Sequence, residues 1–256
     1  EADSEAFCDV LKNQRASLRN RETEIQTRSG QSDVLISTEM IDIDGQDCVL
    51  AMIYDITERK RSLERIEKMQ TVTAALSEAR LPEQVAAVAV NQVAQAVKAD
   101  GGVVMLTDDD GDTLNILDAV GYPAETIRRW RHTPVNGPDM PLCMAVAENE
   151  TVWIASRDDD TYQPFADFLD ANDTEHAAWV ALPLTTPQGV IGGMCLSYSE
   201  AQAFDDETRK YIISMGEYVG QAMERAILYA GEQEARRIAE EANELKLKFL
   251  AMISHE

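Results

Sequence analysis

A chain of 256 residues with 45% hydrophobic side chains spread along its length holds material for one or two cored domains, and its composition excludes general disorder. Its 46 acidic against 23 basic residues give a formal net charge of -23, which opposes contact with a phosphate backbone or an anionic bilayer. No nucleic-acid or membrane partner is therefore expected, and no stretch nears the roughly 20 consecutive apolar residues of a membrane span.

The four cysteines, Cys8, Cys48, Cys143 and Cys195, lie far apart without a CxxC pair or a signal peptide. They indicate neither a disulfide framework nor a metal site, and a reducing cytoplasm is the expected setting, with any membrane anchor outside this chain. The chain starts at Glu1 and ends at Glu256 inside an apolar helical pattern, so both ends read as cuts through a longer protein.

After a short helical opening, Arg21 to Arg28 is extended, Ser29-Gly30 marks a turn and Val34 to Ile43 alternates apolar positions. Asp44-Gly45 then predicts a tight hairpin into Cys48 to Tyr54. At Asp55-Ile56-Thr57-Glu58 the sheet passes into a helix that Asp55 is placed to cap. The ending Tyr54-Asp55-Ile56-Thr57-Glu58-Arg59 resembles the last strand and outgoing helix of a PAS domain, so residues 1–61 are expected to be the C-terminal part of one.

From Ser62 to Ala79, Leu63, Ile66, Met69, Val72 and Leu76 share one helical face, a linker helix over 62–80. Pro82 ends it and opens another helix reaching about Lys98, with Val85, Val88, Ala89, Gln92, Val93 and Val97 as its expected buried stripe. Strands follow at Val103 to Leu106, Leu114 to Ala119, Thr151 to Ala155, Ala178 to Leu184 and Val190 to Tyr198, with helices in the gaps. A long helix begins near Asp205.

Three segments carry a second resemblance: Leu142 to Val152, the hairpin Leu182-Pro183-Leu184 to Gly192-Gly193-Met194-Cys195-Leu196, and Phe204-Asp205-Asp206-Glu207. They are similar to a GAF domain, assigned to 81–228 with a first helix that can include 63–80. The fold class expected is α+β: a partial PAS antiparallel sheet, then a GAF antiparallel sheet with flanking helices, joined and followed by long coiled-coil helices. Many functions share the GAF fold, so the fold leaves the ligand open.

The last helix continues past any such domain. Leu228, Gly231, Ala235, Ile238, Ala242, Leu245, Phe249 and Met252 alternate steps of three and four, a heptad seam over 229–256 that predicts a homodimer through this helix. The small residues on the seam make it weak, a property suited to a transmitting helix. It runs into Lys248-Phe249-Leu250-Ala251-Met252-Ile253-Ser254-His255-Glu256, which resembles the H box of histidine kinases. That resemblance implies His255 as phosphoacceptor and Glu256 as general base, ATP and Mg as cofactors of the full-length kinase, and a response-regulator receiver domain as partner. No glycine-rich phosphate loop is present, so no cofactor is expected in this chain alone. The competing expectation is a ligand-binding GAF module whose coiled coil drives a non-kinase output.

Asp108-Asp109-Asp110-Gly111-Asp112 has its glycine misplaced for a calcium loop and reads as a hairpin turn; no metal is expected. Pocket candidates for an unknown small molecule are Cys143, Trp153, His176 and Trp179, with His132, Trp130, Tyr162 and Phe165 beside them. Trp153 and Trp179 lie on predicted strands, where a core role competes. No cysteine is followed by the histidine of bilin-binding relatives, and Cys143 and Cys195 fall on separate elements, against thiol reductase chemistry.

Overall fold

The computed structural model describes residues 18–27, 30–172 and 175–253 and divides into two compact units between Glu67 and Lys68. Among the described residues no helix is long and apolar enough to cross a membrane.

The first unit is an antiparallel sheet in the order β1 (Leu18–Thr27), β2 (Gly30–Ile43), β3 (Gln46–Asp55). Asp44 and Gly45 both take positive φ, 54° and 81°, the mirror-image turn whose twist suits a two-residue hairpin. Val34, Ile36 and Thr38 alternate into burial on β2, whereas Leu50, Met52 and Tyr54 of β3 are exposed. The Asp55-Ile56-Thr57 junction shows why those residue types occur there. Asp55 Oδ1 accepts the Thr57 N–H at 2.9 Å, Ile56 is buried, and Thr57 Oγ1 accepts the Asp33 N–H at 2.9 Å. Lys60 closes the same joint with ion pairs to Asp33 at 2.7 Å and Glu22 at 3.3 Å. Helix α1 (Thr57–Glu78) starts from it.

Leu63 and Ile66 of α1 are exposed, while Val72 and Leu76 are buried in the second unit. Pro82 opens α2 (Pro82–Val88), where Gln84 Oε1 accepts the N–H groups of Arg80 and Leu81, two donors an incoming helix would otherwise leave unpaired. The helix widens into a π turn at Ala89–Val93 before α3 (Ala94–Ala96), and the Asn91 side-chain amide donates to the Ala87 carbonyl at 2.8 Å. This turn corrects the expected stripe. The surplus residue shifts the phase, so Val90 is buried and Gln92 is left half-buried.

A six-stranded sheet follows: β4 (Gly101–Thr107), β5 (Thr113–Val120), β6 (His132–Pro134), β7 (Val152–Ile154), β8 (Ala178–Thr186) and β9 (Gly189–Tyr198). Its order is β6-β5-β4-β9-β8-β7, and each pairing is antiparallel. Both faces are covered, so the central strands read as continuous apolar runs. On one face Val180, Leu182 and Leu184 join Met194 and Leu196 under α1, α2 and α7 (Asp206–Ile253). On the other, Trp179, Ala181 and Cys195 pack under α5 (Pro141–Glu148) and α6 (Ala166–Asn172).

Backbone approach is closest at the β9 glycines. A Cβ on Gly192 (φ 153°) would stand 2.2 Å from the Met105 carbonyl oxygen, and one on Gly193 would stand 2.5 Å from Leu142 Cδ1. Between the central strands lie α4 (Ala124–Trp130), β6 and a 3₁₀ turn at Asp160–Phe165, short elements that the sequence reading covered only as unspecified gaps.

Candidate functional site

The sheet face opposite α7 carries an aromatic cluster. Trp179 on β8 stacks with Tyr162 (centroids 5.8 Å apart), and Trp130 at the end of α4 stacks with Phe168 on α6 at 5.4 Å. Tyr122 packs edge-on to Trp130 at 5.6 Å and beside His176 at 5.3 Å, and its hydroxyl donates to Ser197 at 3.0 Å. Helices α4 and α6 are one two-element cover, joined by the Trp130–Phe168 stack and by Arg129 donating to Asn172 Oδ1 at 3.0 Å.

Beneath the cover is a cavity of about 20 Å³ between Trp130, Phe168, Leu142, Val103, Trp179 and Cys195. Two larger hollows, about 270 Å³ on the three-stranded sheet and about 290 Å³ beside β5, are open grooves lined by residues such as Leu50, Met52 and Arg128, which are exposed. The small cavity is walled mainly by buried side chains, with Tyr122 and Phe168 half-buried.

Arg157 organises the neighbouring wall. Its guanidinium donates to the His176 carbonyl (2.6 and 2.9 Å), to Tyr162 Oη (2.8 Å) and to Asp170 (2.6 Å), and lies 5.1 Å from the Trp179 ring centroid. Tyr162 Oη in turn donates to Asp170 at 2.5 Å; burial first, then this bond, pushes its phenol up to about 12. The charges near the cavity are thus paired with each other, and charge-assisted bonds of this kind hold geometry well. Nothing in the sequence pattern separates Arg157 from other loop arginines.

The four pocket candidates part company. Trp179 lines the cavity. His176 is buried at its edge against Tyr122. Cys143, on α5 in the same apolar cluster, donates its thiol to the Pro134 carbonyl at 3.6 Å, and burial raises it to about 11. A thiol so protonated at neutral pH is a poor nucleophile or ligand. Trp153 faces the other side of the sheet: it pairs in register with Val180, packs on Phe204 at 5.2 Å and meets the Arg209 guanidinium at 4.8 Å. It belongs to the helix-covered core and not to the cavity. Among the described residues no group of three or more His, Cys, Asp or Glu gathers to hold a metal, and Asp108 Oδ1 instead accepts the Asp112 and Thr113 N–H groups across its turn.

His255 and Glu256 lie outside the described residues. The helix leading to them is described to Ile253. Its first half is core, through Ile212, Met215, Val219, Met223 and Ala226, and from Leu228 to Lys248 almost every residue is exposed.

A family model described as GAF domain matches residues 79–224. Among curated proteins none matches this sequence. Among solved structures, the GAF domain of a phosphoenolpyruvate-protein phosphotransferase from Coxiella burnetii is similar at TM-score 0.55 and 12% identity, over 66% of this chain and 98% of that one. Its counterpart from Acinetobacter gives TM-score 0.53 and 14% identity over 64% and 95%. Free methionine-R-sulfoxide reductase from Neisseria meningitidis, in complex with its substrate, gives 0.50 and 15% over 66% and 93%. At such identities the likeness is one of fold. The family match, which spans more than half of the sequence, rests on the same helices and six-stranded sheet that build the aromatic cavity, and the chain belongs to the GAF domain family.

Proposed function

We propose that this chain is the sensory and signal-transmitting region of a two-component sensor histidine kinase. The observation that carries the reading is the single helix α7, which is core to the GAF domain in its first half and then offers exposed Leu228, Ile238 and Leu245 on a heptad seam. That seam leads in sequence directly to Ser254-His255-Glu256.

In this reading two copies pair in parallel through the seam. Glu241 and Lys246 then occupy flanking positions five residues apart, where opposite charges face each other between in-register strands of a coiled coil. A change in packing at the GAF core alters the helix at Met223 and Ala226 and is passed along the seam to the phosphoacceptor. An ATP-binding domain transfers the terminal phosphoryl group to His255, with Glu256 as general base, and a receiver-domain aspartate takes it next.

The test supplies a histidine-kinase ATP-binding domain, in the intact protein or in trans, with ATP labelled at the terminal phosphate. Acid-labile, base-stable label is expected on His255 and none on His255→Gln, with dimerisation unchanged. Undiminished labelling of His255→Gln would remove the kinase assignment and leave a GAF module with another output.

A further inference from the structure

Strand β3 carries an uncharged run from Cys48 to Tyr54, and by the period of two Leu50, Met52 and Tyr54 share one face of the three-stranded sheet. They stand opposite Glu39, Ser37 and Leu35 of β2. Their exposures are 48%, 65% and 72%, so an apolar strip lies bare along the outer strand. Beside it is the open hollow of about 270 Å³, whose lining includes Arg19, Ser37, Glu39, Leu50 and Met52. Contiguous apolar surface rimmed by polar groups marks a site of interaction.

Helix α1 has the complementary feature. Leu63 and Ile66, one turn apart, are 51% and 52% exposed, ahead of the buried Val72 and Leu76. Within one copy neither surface covers the other, and the Lys60 ion pairs to Asp33 and Glu22 fix the first turn of α1 against the sheet. Two exposed apolar positions make less than one heptad, too few for α1 to coil with its own copy. Charge matches the helix to the sheet instead. The hollow is rimmed by Arg19 and Glu39, the helical stripe is flanked by Glu64 and Arg59, and all four are exposed without an ion pair among the described residues.

We propose that two copies of this chain exchange these surfaces: Leu63 and Ile66 of each copy lie on the sheet face of Leu50, Met52 and Tyr54 of the other, with Leu63 entering the hollow and Arg59 meeting Glu39. A two-fold axis makes both contacts at once, because strip and stripe belong to the same chain. Each contact is small beside the roughly 1,200–2,000 Å² of a stable interface, so it forms only between copies that the α7 seam already holds at high effective concentration. The inference rests on that reading of a paired seam and goes beyond it by giving the N-terminal sheet its partner.

Single cysteines test which surfaces meet. In the 256-residue chain carrying Cys8→Ser and Cys48→Ser, with Cys143 and Cys195 buried, Met52→Cys and Leu63→Cys are made separately, mixed as dimers re-form, and oxidised. A second series uses Leu50→Cys in place of Met52→Cys, since a disulfide needs its Cα atoms within about 7 Å. A covalent dimer is expected in the mixture and in neither variant alone, and it should vanish on an Ile238→Asp background. Leu63→Asp and Met52→Asp should each raise the dimer dissociation constant about 10-fold through lost apolar burial. Ile53→Asp, on the opposite face of β3 and also exposed, should leave it within about 2-fold.

Leu63→Cys linking to itself would mean that the helices pair with each other, and Met52→Cys linking to itself that the sheets do. An internal disulfide in the double variant on the Ile238→Asp background would mean that α1 folds back onto its own sheet. Each of these would overturn the proposal, as would weakening by Ile53→Asp equal to that by Met52→Asp, mixtures of both series that link nowhere, or a chain that sediments as a monomer. Labelling of His255 is read separately. Its survival without the mixed link would sink this contact alone, whereas its loss with the mixed link present would sink the kinase reading alone.

Discussion

The two halves of α7 have the same backbone and different reasons for being helical. From Asp206 to Ala226 the helix is held by burial: Ile212, Met215, Val219 and Met223 are wholly inaccessible at three- and four-residue spacing and face Leu182 and Leu184 across the sheet. Asp205 caps its start, accepting the Thr208 N–H at 2.7 Å. From Leu228 to Lys248 no core lies beneath the described residues. Among the described residues the helix there has its own ion pairs, Arg236–Glu240 at 2.8 Å, Arg237–Glu234 at 2.6 Å, Arg237–Glu241 at 2.5 Å and Glu244–Lys248 at 3.9 Å, and an apolar seam facing outward. Exposed pairs of this kind contribute little each, so the distal half depends on a partner for most of its stability. A domain can thus export a helix from its core as a handle, rigid at the root and conditional at the tip.

The largest effect is expected at the root. Met223→Ala removes a fully buried side chain, and by analogy with other large-to-small core changes should cost about 2–5 kcal/mol in denaturant unfolding. A loss below about 1 kcal/mol would mean that the root is not core. At the tip, Ile238→Asp should leave that unfolding free energy within about 0.5 kcal/mol, since the side chain is 54% exposed, yet convert a dimer to a monomer by sedimentation. A variant that stays dimeric would break the proposed seam.

Smallest is the ion-pair effect. Glu234 is held below its ordinary carboxyl range, first by its hydrogen bond from Arg237, and a group so depressed stabilises above its unfolded value and ceases to as pH falls through the folded one. Distal helicity by circular dichroism, measured on an Ile238→Asp background to remove dimerisation, should therefore decline on acidification into and below the carboxylate range. Arg237→Ala should flatten that decline, as should molar salt.

The contrast also explains what was readable beforehand. The strands announced themselves through alternation, Asp44-Gly45 through its turn chemistry, and the heptad through its spacing, because each is a local pattern with a fixed period. The sheet's register is not local. Whether Trp153 or Trp179 faces the cavity depends on which face α7 covers, and only the pairing of Trp153 with Val180 and Ile154 with Trp179 decides it. Helices α4 and α6 are too short, at about two turns each, to show a period at all, so the cover and the stack of Trp130 on Phe168 were invisible. Arg157 escaped for a different reason. Its importance lies in three hydrogen-bond partners separated from it by up to 19 residues, and no spacing rule joins them.

The π turn at Ala89–Val93 has a consequence for insertions and deletions in this domain. Taking one residue out of an ordinary helix rotates everything beyond the cut by about 100°. Here the wide turn already absorbs one residue more than an α-helix would, and Asn91 spends its side-chain amide on the Ala87 carbonyl. Deleting Asn91 should let the turn relax to regular α-helix, with Val85, Ala86, Ala94 and Ala96 still in the core they are buried in now. The shortened chain is expected to fold with a modestly altered unfolding midpoint, whereas the same deletion at Glu217, in the root of α7, should abolish folding. Equal damage from the two would show that the surplus residue is as deeply committed to the core as any other.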